Sequence, residues 1–79
     1  MKLKQKYGYN ETQKAGRRRK ALKKAVTDFN YDKVISSLQS RKYQVKDYKM
    51  RRIQADINYL KKRKKSFETG FTMELDLQL

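Results

Sequence analysis

The stretch that decides the fold is YKMRRIQADINYLKKRKK, residues 48–65. Its apolar residues Met50, Ile53, Ile57 and Leu60 recur at spacings of three, four and three. At about 100° per residue they form one narrow stripe, the pattern of a helix that packs along a single seam. Asp47 stands just before it, where a short acceptor can cap the free amides of the first turn. Inside the helix, Asp56 is expected to pair with Arg52 one turn earlier. Five consecutive cations, Lys61, Lys62, Arg63, Lys64 and Lys65, close the stretch. Positive charge suits that end of a helix dipole, but five residues exceed what the dipole needs.

Two more helices are predicted toward the N-terminus. In YDKVISSLQS, residues 31–40, Tyr31, Val34, Ile35 and Leu38 follow the i, i+3, i+4, i+7 rule. In NETQKAGRRRKALKKAVTDFN, residues 10–30, Ala15, Leu22, Ala25, Val26 and Phe29 share one face. Asn10 and Gln13 have the spacing of a capping box, and Asn30 is expected to stop the helix in a left-handed conformation. Gly16 weakens its first turns by up to about 1 kcal/mol. The short connection after Phe29 should fold these two helices into a hairpin or corner, with Leu22, Val26 and Phe29 against Val34, Ile35 and Leu38. The expected fold is therefore mainly α, a small three-helix domain with helices at about 11–29, 32–40 and 48–65.

The ends read differently. In FTMELDLQL, residues 71–79, Phe71, Met73, Leu75, Leu77 and Leu79 point one way, and Thr72, Glu74, Asp76 and Gln78 the other. That is a half-buried strand, and a strand needs a partner. MKLKQKYGY, residues 1–9, offers one, with Met1, Leu3, Tyr7 and Tyr9 opposed to Lys2, Lys4 and Lys6. N- and C-terminal β-strands are thus expected, pairing with each other through lysine–carboxylate contacts or with a partner. In the second case the tail would add a strand to the sheet edge of a larger protein.

Charge divides the chain at the same place. Lys and Arg number 22 against eight Asp and Glu, a net of +14. Residues 1–65 hold every basic residue and five acids, whereas 66–79 hold three acids and no base. The expected organisation is a basic helical domain, 1–65, followed by an acidic and apolar strand tail, 66–79. The absence of Cys and His removes disulfides, thiolate and imidazole metal ligands, and imidazole catalysis. Gly8, Gly16 and Gly70 are too scattered for a phosphate loop, and no carboxylates are paired as an acid and a base. No enzyme activity, metal, cofactor or small-molecule substrate is expected. No apolar run nears the ~20 residues of a membrane span, and no signal-peptide core is present, so a soluble location inside the cell, or in a particle assembled there, is expected.

The positive candidates are phosphate sites. Arg17, Arg18, Arg19, Lys20, Lys23 and Lys24 put six cations on two turns, and no acid lies between Thr12 and Thr27. Six phosphate contacts would give a log–log salt slope of about −5 on duplex DNA. No Asn or Gln on that face can read adenine, so the expected binding is sequence-nonspecific. The Lys61–Lys65 run fits a phosphate clamp, a nuclear-import signal or a solubilising helix end equally well. Among the tyrosines, Tyr31 is in phase with the core and Tyr7 and Tyr9 read as packing anchors. Tyr43, in the basic connector SRKYQVK, is the one placed to stack on an unpaired base.

The segments KYGYNETQKAGRRRKALKKAV, FNYDKVISSL and ADINYL resemble, in that order and over about residues 6–60, a family of short basic proteins of large nucleocytoplasmic DNA viruses. That family has no assigned activity, so the resemblance carries over no functional residues. It implies a viral origin and a place in the virion, with the host nucleus or a cytoplasmic assembly site as the setting. The connector QSRKYQVKDYKM is more basic than the family's, and the alternating tail departs from it. Two expectations follow. One is a sequence-nonspecific nucleic-acid-binding protein that packages or condenses a viral genome, holding DNA by its phosphates. The other is a minor structural (cement) protein, anchored to larger capsid proteins through Phe71, Met73, Leu75, Leu77 and Leu79.

Overall fold

The computed structural model describes residues 3–69, which form four helices: α1 (Leu3–Tyr7), α2 (Ala15–Asp28), α3 (Tyr31–Lys42) and α4 (Tyr48–Thr69). The helical character matches the expectation. The centre of the fold is an antiparallel hairpin of α3 and α4, the most extensively packed pair. Lys42 donates to Gln54 toward one end, and Lys64 donates to Asp32 toward the other. Between them Val34, Ile35 and Leu38 meet Ile53, Ile57 and Leu60, all buried, and Ala21, Leu22 and Ala25 of α2 join the cluster together with Leu3 and Tyr9. Each large aliphatic side chain taken fully out of water contributes about 1.5–3 kcal/mol. The predicted stripe thus forms the seam from Ile53 onward. Met50 stands at the solvent edge, and Phe29 is half-exposed rather than buried against α3.

The N-terminal strand is corrected. Leu3–Tyr7 is a single helical turn, and among the described residues there is no strand. The alternation breaks at Gln5, whereas Leu3 and Tyr7 are four apart, the spacing that puts both on one side of a helix. Gly8 closes the turn at φ +73, its amide donating to the Lys4 carbonyl at 3.1 Å. A left-handed residue there satisfies a free carbonyl and redirects the chain, and glycine adopts it without a Cβ penalty. The redirected chain buries Tyr9 to 2% exposure. The tail residues Phe71, Met73, Leu75, Leu77 and Leu79 lie outside the described residues. α4 itself runs through the composition break at Lys65/Ser66 to Thr69.

Three local expectations also change. Gln13 Oε1 accepts from the Asn10 amide at 3.2 Å, as in a capping box, but Asn10 Oδ1 accepts from Thr12, so the pair closes a turn. α2 starts later, at Ala15, after an extended Lys14. Asn30 is extended rather than left-handed, and its side chain accepts from the Lys33 amide at 2.8 Å. It starts α3 instead of stopping α2. Asp47 does precede α4, but in the left-handed region at φ 60, with its carbonyl accepting from the Arg51 amide.

Candidate nucleic-acid interface

The arginine cluster of α2 divides by helical phase. Arg18 is three and four residues before Ala21 and Leu22, so it turns inward with them and is 6% exposed. Its Nε donates to Asp56 Oδ2 at 2.9 Å and its Nη1 to the Gln13 carbonyl at 2.8 Å. The same Asp56 oxygen accepts from the Tyr9 hydroxyl at 2.6 Å. Arg18 is therefore withdrawn from the phosphate-binding set. A guanidinium held in a buried, satisfied ion pair cannot leave it without stranding its carboxylate. Burial pushes the Tyr9 phenol up, and the bond to Asp56 adds to the effect. The expected Arg52–Asp56 pair is replaced too. Arg52 Nη1 reaches back to the Glu11 and Gln13 carbonyls, at 3.0 and 3.3 Å. Glu11, itself buried, is held by Arg41 at 3.0 Å. Three arginines, from α2, α3 and α4, thus grip the loop between α1 and α2. In a chain without disulfides this is its polar staple.

What remains outside is Arg17, Arg19, Lys20, Lys23 and Lys24, all exposed. Together they cover the half of α2 that faces away from the core, and no acid interrupts them. One edge of this face is tied to α4. The Arg19 guanidinium lies 4.6 Å from the centroid of the Tyr59 ring, and that of Arg63 lies 5.7 Å from the same centroid. Two like charges converge on one aromatic ring, whose π electrons attract both. The structure so brings Arg63, from the second predicted run, beside the first. Sequence reasoning passed over Tyr59. Its spacing of four from Arg63 was visible, but the contribution of Arg19 is a long-range contact.

The Lys61–Lys65 run does not form a single patch, because successive helix positions point in different directions. Arg63 turns toward α2 and Lys64 toward α3, where it meets Asp32 at 2.6 Å. Lys61, Lys62 and Lys65 are exposed. Among the other tyrosines, Tyr7 donates to Asp28 at 2.7 Å and meets the Phe29 ring edge-on. Its phenol is pushed up to about 12 by desolvation and by the Asp28 carboxylate. Among the described residues no group of acidic side chains is arranged to hold a metal ion, and no helix is long and apolar enough to cross a membrane. Comparison with protein-family models, with curated proteins and with solved structures gives no match.

Proposed function

We propose that this protein binds nucleic acid through phosphates, without reading sequence, on the outer face of α2 extended by Arg63. The observation that carries the reading is the uninterrupted set Arg17, Arg19, Lys20, Lys23 and Lys24, exposed on one half-cylinder of a helix. A solvated helix face ordinarily mixes charge signs, and this one does not. The Tyr59 stack holds two guanidiniums in place beforehand, so less side-chain freedom is lost when phosphates arrive. Packaging or condensing a viral genome is the role that fits such binding with the resemblance noted above. The cement role rests on the tail.

The test is the salt dependence of binding to a duplex of random sequence. Six phosphate contacts, the five cations of α2 and Arg63, predict a log–log slope of about −5.4. Replacing Lys20, Lys23 and Lys24 together by Gln should flatten it by about 2.7, at roughly 0.9 per contact. A slope that the triple replacement leaves unchanged would remove α2 from the interface.

A further inference from the structure

The end of the α3–α4 hairpin carries a second feature of a different kind. Tyr43, at the close of α3, is 87% exposed. No hydrogen bond or ring contact holds its side chain among the described residues, whereas Tyr7 and Tyr9 are bonded to carboxylates and Tyr59 is stacked. Tyr48, opening α4, is 45% exposed, and its ring is backed by the Arg52 guanidinium at 5.1 Å. The cations that neighbour these rings in sequence are Lys46, Lys49 and Arg51, with Lys46 and Arg51 exposed, Lys49 partly so, and none of them bound to an acid among the described residues. Tyr48 and Arg63 are fifteen residues apart on α4. At 1.5 Å per residue the tip lies about 22 Å along that axis from Arg63 and about 16 Å from Tyr59.

We propose that this tip is a separate contact for unpaired nucleotides, with Tyr43 as the stacking surface and Lys46, Lys49 and Arg51 as phosphate partners. An exposed ring in a stretch of chain rich in cations suits a base and its flanking phosphates, a π-face beside negative charge. A protein interface needs about 1,000 Å² of complementary surface, far more than two rings supply. The ring's exposure also argues against a fold-stabilising role, since it removes little apolar area from water. The inference shares its ligand class with the function proposed above but uses none of the same residues. One molecule thereby has two contacts of different selectivity, one for backbone and one for bases.

The experiment compares a labelled oligothymidylate with a duplex of equal length, by fluorescence anisotropy on the full chain. Tyr43→Leu should weaken single-strand binding by about 5- to 150-fold, the range for loss of one base–aromatic stack, and leave duplex binding within about twofold. Tyr43→Phe should behave as the parent, because stacking needs the ring and not the hydroxyl. Far-UV circular dichroism checks that each variant is folded. Equal losses on both ligands, or none on the single strand, would overturn the proposal. So would phosphatidylserine vesicles that bind through Tyr43 while the oligothymidylate ignores it. The Lys20, Lys23 and Lys24 replacement is run beside these. If it leaves duplex binding intact, the α2 reading falls alone, and the Tyr43 result stands by itself.

Discussion

Replacing Asp56 by Ala tests the polar staple at its centre. The Oδ2 atom of Asp56 receives the Tyr9 hydroxyl at 2.6 Å and Arg18 Nε at 2.9 Å, with the residue 1% exposed. Its removal leaves a buried guanidinium with the Gln13 carbonyl and a buried phenol with no acceptor. Breaking a buried pair from one side costs about 3–5 kcal/mol, and a stranded hydroxyl about 1–3 kcal/mol. Both groups share one oxygen, so the penalties overlap and the expected loss is about 4 kcal/mol. A domain of this size has about 4–12 kcal/mol in total. Asp56→Ala should therefore sit close to unfolding. Urea titration followed by far-UV circular dichroism measures the loss. The companion variant, Tyr9→Phe with Arg18→Met and Asp56→Leu, removes every polar member at once and should return to within about 1 kcal/mol of the parent or exceed it. It should also keep its duplex affinity, since Arg18 makes no phosphate contact. An Asp56→Ala loss below about 1 kcal/mol, or a triple variant as unstable as the single one, would refute this reasoning.

Other expectations concern single positions. Gly8→Ala forces a Cβ into φ +73, where space is open but the backbone is unfavourable, and should cost about 1–2 kcal/mol by the same titration. Gly16→Ala, in open space at the start of α2, should instead stabilise by about 0.5 kcal/mol. Tyr59→Leu releases two guanidiniums and should lower duplex affinity by up to about fivefold while keeping the salt slope, as seen in an anisotropy series. Raised phenol values make the folded state the tighter holder of protons at high pH. Stability is then fully present below about pH 10, the unfolded value, and falls above it, for Tyr7 until about 12. Urea midpoints measured across this window should fall less steeply in a Tyr7→Phe, Tyr9→Phe variant.

The helices were legible because their apolar phases are regular. Ile53, Ile57 and Leu60 keep a single stripe, and Val34, Ile35 and Leu38 supply its complement. The fate of Arg18 was half-legible. Its charge type matches its neighbours, but its phase places it beside the apolar stripe, next to Ala21 and Leu22. What sequence could not show was the acceptor waiting 38 residues away. Arg52 looked like the partner of Asp56 because a pair four residues apart is always within reach on a helix. The buried position of Asp56 favoured instead two donors that were themselves desolvated. Residues 1–9 misled for another reason. Over so few residues, alternation and a single helical turn share the positions Leu3 and Tyr7, and only Gly8 with its left-handed turn decides between them.

The staple joins residues far apart in sequence: Tyr9 with Asp56, 47 apart, and Arg52 with Glu11, 41 apart. Closing so long a loop is entropically slow, whereas α3 and α4 are neighbours joined by a short connector. The hairpin should thus form first and the N-terminal arm dock last. During synthesis this order has a cost in timing, because residues 9–18 emerge from the ribosome before residue 56 does. Until then Arg18 has no carboxylate to meet, and the nascent arm presents all six cations of residues 17–24 to any polyanion nearby, ribosomal RNA included. Docking on Asp56 ends that interval by taking one of the six inside.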